Sequence, residues 1–224
     1  MANERSKTIV AGVFLIMCFC CAQAYALNEQ EDDVLIFSQR QQDMEPIEES
    51  EAPEKAGIGK WLQEAGFFTG YIRGNLKNQG DLEVIPTGLR FGFDLKPFVE
   101  KFGIHLNGMF EILYEPFINT IIGPRNNVEL GCAFLFRYSY PLTSKFYPYI
   151  EVGSGLYYMT LATQEQSTQF NFIDQGGAGF SYFLREDLAL NVGYRFRHVS
   201  NCSIKQPNSG INADVYLVGM SYYF

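Results

Sequence analysis

The stretch from Val128 to Tyr140 alternates with a period of two, and the chemistry of its two faces limits what the chain can fold into. Val128, Leu130, Cys132, Phe134, Phe136, Tyr138 and Tyr140 share one face. Glu129, Gly131, Ala133, Arg137 and Ser139 share the other, with Leu135 the exception. Successive side chains point to opposite faces of a strand, so the pattern reads as β-structure. The end of the chain repeats it, with Tyr216, Val218, Met220, Tyr222 and Phe224 set against Val215, Leu217, Gly219, Ser221 and Tyr223. A soluble sandwich buries its apolar face and wets the other. A membrane barrel does the reverse, turning apolar side chains to lipid and keeping small or polar ones in the lumen.

From Lys60 onward the composition shifts to Tyr, Phe, Gly and β-branched residues, and eight segments bounded by turn residues can be marked. They cover 66–75, 82–95, 104–118, 127–141, 146–160, 170–184, 188–200 and 212–224. None has a 3.6-residue period, and none is an unbroken apolar run long enough to span a bilayer as a helix. The links after segments two, four and six read as short. Those after one, three, five and seven read as longer and polar, as at "LATQEQSTQ" and "NCSIKQPNSGI". Short periplasmic turns and longer outer loops are the habit of outer-membrane barrels. The closing Tyr222-Tyr223-Phe224 resembles the C-terminal assembly signal of such barrels.

Closure also leaves no sheet edge for lipid to meet. The expectation is an all-β, eight-stranded antiparallel transmembrane β-barrel over residues 60–224. A barrel of that size is filled by its own side chains. Glu151, Arg137 and Arg195 are expected to pair inside it, which disfavours a pore.

The first 26 residues read as an export signal: Arg5 and Lys7, then an apolar run from Thr8 to Ala22, then Ala24-Tyr25-Ala26 as a small-x-small cleavage site. Three of the five cysteines lie in that segment, leaving Cys132 and Cys202, too few for a disulfide framework. Residues 27–59 hold ten acidic and two basic residues, and the remainder is close to neutral. That acidic stretch lacks a sustained apolar period and is expected to be disordered. No basic patch points to nucleic acid, and no nucleotide loop or metal-ligand spacing implies a cofactor or metal. His105 stands alone.

The seventh segment carries an anomaly. Leu188, Leu190, Val192, Tyr194 and Phe196 form its lipid face, and continuing the alternation places His198 and Ser200 on that same face. On the eighth segment, Asn212 and Asp214 continue the outward face of Tyr216 and Val218. Polar groups facing hydrocarbon cost several kcal/mol unless partnered or interfacial. Ten residues separate Asp214 from Phe224. At about 3.3 Å per residue and a tilt near 40° they rise roughly 25 Å, which sets the cluster at the external interface. Polar residues where strands meet a loop are one reading. A hydroxyl and an imidazole at i and i+2 on one strand face are also the minimum for a base-activated nucleophile, with an orienting partner available on the next strand.

The run "HVSNCSIKQPNSGIN", from His198 to Asn212, resembles the signature of the lipid A 3-O-deacylase family of outer-membrane enzymes. His198, Ser200 and Asn201 match that family's His-x-Ser-Asn, and Pro207, Asn208 and Gly210 match its following loop. "FNFIDQGGAGFSYFL" and the eight-strand layout are also similar, so the resemblance spans residues 66–224. It implies a barrel with a membrane-facing active site that hydrolyses the 3-position ester of lipid A in lipopolysaccharide. Ser200 would be the nucleophile and His198 the base. The backbone amides just after Ser200 and the side chains of Asn201 and Asn208 would support the oxyanion. The acid expected to orient the histidine falls at Asn212, with Asp214 as second choice. The alternative is a non-catalytic barrel with a structural or interaction role.

Overall fold

The computed structural model describes residues 61–77, 79–103 and 105–224. The export segment 1–26 and the acidic segment 27–59 lie outside the described residues. In chain order the elements are β1 (Leu62–Leu76), β2 (Gly80–Ile85), β3 (Thr87–Asp94), a one-turn helix α1 (Lys96–Glu100), β4 (Met109–Gly123) and β5 (Asn127–Ser139). They continue with β6 (Phe146–Met159), β7 (Phe170–Arg185), β8 (Leu188–Ser200) and β9 (Ile211–Tyr223).

All neighbours are antiparallel, and β1 pairs with β9 from Glu64–Tyr223 to Gly74–Ala213, closing the ring. The nine segments make eight staves. β2 and β3 continue one line, and each pairs with both β1 and β4. The line breaks at Pro86, which has no N–H to give to the ladder. The next amide, that of Thr87, donates to the Asn119 side-chain Oδ1 at 3.2 Å instead.

The expected alternation of link lengths holds on one side of the barrel only. The outer links after β6 and β8 run over 160–169 and 201–210, but those after β1 and β4 are just 77–79 and 124–126. The third segment, expected at 104–118, is Met109–Gly123. Residues 105–108 join α1 in an inner connection longer than expected. The cause is a polar lumen. Asn119 looks like a turn residue, yet it points inward and donates to Glu129 at 3.0 Å, so the strand runs on through it. Asn75 and Asp81 likewise extend the first hairpin, secured by an Arg73–Asp81 ion pair at 2.9 Å.

The wall has the polarity of a membrane protein. Phe134, Phe136, Ile150, Phe196 and Tyr216 are exposed side by side with other large apolar residues, a surface far larger than a water-soluble monomer carries. The lumen holds the charges. Arg195 bridges Glu115 and Glu151 at 2.6 Å each. Arg137 joins Glu151 at 3.2 Å and Glu64 at 3.3 Å, and Arg90 meets Glu115 at 2.7 Å. The expected pairing of Glu151 with Arg137 and Arg195 is therefore present within a larger network. Above it, Arg197 meets Glu129 at 2.9 Å, and an apolar layer including Ile72, Leu82, Ile121, Ile173, Val199 and Ile211 fills the outer end. Leu135, the exception on its strand, packs inward with Leu113 and Ala133. Side chains thus fill the inside, and the polar anomaly of β8 and β9 stands on the outside.

Candidate active site

β8 and β9 meet as a regular hairpin whose register pairs His198 with Asn212 and Phe196 with Asp214. Val199 and Arg197 point inward and are buried, which fixes His198 and Ser200, both half-buried, on the outer wall. A one-residue slip would turn both into the lumen, and the buried Val215, Leu217 and Ser221 of β9 resist that slip.

His198 Nδ1 lies 2.6 Å from Asn212 Oδ1. In the assigned orientation of that amide, Oδ1 is an acceptor, so Nδ1 carries the proton and Nε2 keeps its lone pair. Gly210 holds the other side of the ring. Its φ is +75°, and a Cβ built on it would lie 2.4 Å from His198 Cε1. Only a glycine permits both that backbone conformation and that approach.

Asp214 is engaged elsewhere. It sits two register pairs below the histidine, and its Oδ1 accepts a hydrogen bond from Tyr194 Oη at 2.6 Å. Of the two orienting groups anticipated, Asn212 is the one joined to the imidazole. Ser200 shares the face of His198 two residues on, and no hydrogen bond joins the two among the described residues. Such contacts are commonly long before substrate binds.

The loop beyond Ser200 is tied down by asparagines. Asn201 is fully buried and donates from Nδ2 to the Lys205 carbonyl at 2.8 Å and to Ser167 Oγ at 3.4 Å. Its backbone N–H donates to Asn208 Oδ1 at 3.0 Å. The Asn201 side chain thus braces the loop, and Asn208 comes against the backbone just after Ser200, its Nδ2 making no hydrogen bond among the described residues. The two long outer connections also zip together. Ser167 N–H donates to the Pro207 carbonyl at 3.0 Å, Ser209 N–H donates to the Glu165 carbonyl at 2.9 Å, and Gln166 bridges to Asn208. This joined pair of loops roofs the quadrant of β6 to β9.

Two site residues escaped sequence reasoning. Gly210 was read only as part of a motif, and nothing in a sequence announces that a glycine will abut an imidazole. Asp174 lies within the run "FNFIDQGGAGFSYFL", whose sequence alone assigns it no role. It sits on the outer face of β7, directly opposite His198 in register, because Ile173 and Gln175 point inward. Its alternation phase, once compared with that of His198, was the available signal.

The model of the lipid A 3-O-deacylase (PagL) family matches residues 86–221, more than half the chain. Among solved structures, the crystal structure of the outer membrane enzyme PagL superposes with a TM-score of 0.53 at 22% identity, covering 71% of this chain and 98% of that one. Neisserial surface protein A (NspA) superposes with a TM-score of 0.50 at 14% identity, covering 72% of this chain and 96% of that one. At such identities both likenesses speak for the barrel fold. No curated protein matches the chain by sequence. The match to the family model, which runs from β3 into β9 and includes His198, Ser200 and Asn212, makes this chain a member of the lipid A 3-O-deacylase family of outer-membrane ester hydrolases.

Proposed function

We propose that Ser200 and His198 are the nucleophile and base of this hydrolase, with Asn212 orienting the imidazole, and that they cut the 3-position acyl ester of lipid A from the outer leaflet. The observation that carries the reading is the 2.6 Å contact of His198 Nδ1 with Asn212 Oδ1 on the lipid-facing wall. It leaves Nε2 as the basic nitrogen, on the strand face that Ser200 shares.

In the proposed sequence, Ser200 Oγ attacks the ester carbonyl while Nε2 takes its proton. The tetrahedral oxyanion is met by Asn208 Nδ2, while Asn201, whose N–H is given to Asn208 Oδ1, holds the loop that presents it. Collapse breaks the bond to the sugar oxygen, which leaves with the proton from Nε2. A water, deprotonated by the same nitrogen, then releases the acid from Ser200. The placement on the wall suits a substrate whose acyl chains never leave the bilayer. Residues 1–26 are proposed to direct export of the barrel.

The test is fatty-acid release from lipid A by the purified barrel in detergent micelles. Ser200→Ala and His198→Ala should each abolish release while leaving the heat-modifiable gel mobility of a folded barrel intact. Undiminished release by either folded variant would overturn the assignment.

A further inference from the structure

An amide at Asn212 can hold a tautomer but cannot offset the charge that His198 acquires when it takes the serine proton. Asp174 occupies the complementary position. It pairs with His198 across the β7–β8 ladder on the same outer face, the arrangement that brings cross-strand side chains to roughly 4.5–5.5 Å at Cβ. Although it faces outward it is only 9% exposed, and among the described residues it makes no hydrogen bond. A carboxylate on a mostly covered residue, with no hydrogen bond to hold it, is stabilised when a cation forms beside it.

The other charged groups around the ring are accounted for. From β9, Asp214 lies two pairs lower, opposite Phe196, and is bound to Tyr194. On β8 itself, Arg195 and Arg197 point into the lumen and are held by glutamates. From the loop above, Gly210 presents backbone to the ring, and Lys205 is exposed with its carbonyl turned to Asn201. From β6, the residue opposite Asp174 is the uncharged Ser154.

We propose that Asp174 is a positioning residue that stabilises protonated His198, standing in from β7 for the acid that the β9 position lacks. The proposal rests on the Ser200–His198 reading for its catalytic meaning, but the coupling of Asp174 to His198 can be measured without it. The chain has two histidines, so the imidazole of His198 can be followed by NMR titration of the full barrel in micelles, with His105→Gln to assign it. Asp174 favours the protonated ring, so Asp174→Asn should lower the His198 midpoint measurably, and Asp174→Glu should hold it near the wild-type value.

In kinetics, Asp174→Asn should move the acid limb of kcat/KM to lower pH by the same amount. It should cut kcat by about 10–100-fold with little change in KM, and Asn212→Glu in the Asp174→Asn background should restore kcat. An unmoved His198 midpoint in folded Asp174→Asn overturns the proposal, whatever happens to the rate. A rate loss that Asn212→Glu fails to restore also overturns it. Retained activity in Ser200→Ala would defeat the nucleophile assignment alone, because the titration reads the Asp174–His198 coupling independently.

Discussion

Replacing Gly210 with alanine adds one methyl group, and the structure gives its consequences in two separable parts. The first is backbone strain: at φ +75° an L-residue costs about 1–2 kcal/mol. The second is collision. The new Cβ would lie 2.4 Å from His198 Cε1, where carbon atoms prefer about 3.5 Å, so the ring has to yield by about 1 Å. A shift of that size disturbs the 2.6 Å contact of Nδ1 with Asn212 and re-aims Nε2, the atom next nearest the new methyl.

A displacement of that size at the proposed base should cost on the order of 100-fold in rate, or about 2.7 kcal/mol of activation free energy. Gly80→Ala is the control. Its φ of +88° imposes the same kind of strain, but nothing lies within 4 Å of the added Cβ. Initial rates of fatty-acid release, normalised to heat-modifiable folded barrel, should therefore fall about 100-fold for Gly210→Ala and stay near wild type for Gly80→Ala. Rates within about threefold of each other for the two variants, a margin far inside the 100-fold expected, would refute the claim that Gly210 positions the imidazole.

Other expectations follow from the same geometry. Asn212→Ala should reduce deacylation severely and Asn212→Glu should match or exceed wild type, whereas Asp214→Ala should cost less because its partner is Tyr194, as steady-state rates will tell. Asn208→Ala should lower kcat by about 10²–10³-fold with KM little changed, the signature of a lost oxyanion donor. Arg195→Leu leaves Glu115 and Glu151 each short of a buried partner and should cost about 3–5 kcal/mol in urea unfolding. Arg73→Leu, which breaks an exposed pair, should leave the urea midpoint almost unmoved in the same experiment.

Much of this was legible in the residues, and the limits have physical causes. The lipid face of β5 and the inward phase of Arg137 follow from period-two alternation, since a strand has no freedom to point neighbours the same way. The outward placement of His198, Ser200, Asn212 and Asp214 follows from the same rule extended past the apolar stretch. The split at Pro86 was not foreseen because alternation runs through it: Leu82, Val84, Pro86 and Gly88 all face inward, and only the missing N–H interrupts the ladder. The link lengths were misjudged at Asn119 and Asp81, where residues that usually mark turns find lumen or hairpin partners. The choice between Asn212 and Asp214 needed the register, which the hairpin sets through contacts far apart in sequence. Asp174 needed two strands to be laid side by side, and Gly210 needed atomic distances.

The central claim is that a serine on the outer wall of this barrel removes an acyl chain from lipid A in place. Mass spectrometry of lipid A from outer membranes carrying the wild-type protein, compared with membranes carrying Ser200→Ala at equal folded abundance, tests it most directly. Membranes carrying the wild type should contain a species lacking one 3-linked hydroxyacyl chain, and those carrying Ser200→Ala only unmodified lipid A. Identical spectra from the two membranes, with both barrels folded, would contradict it.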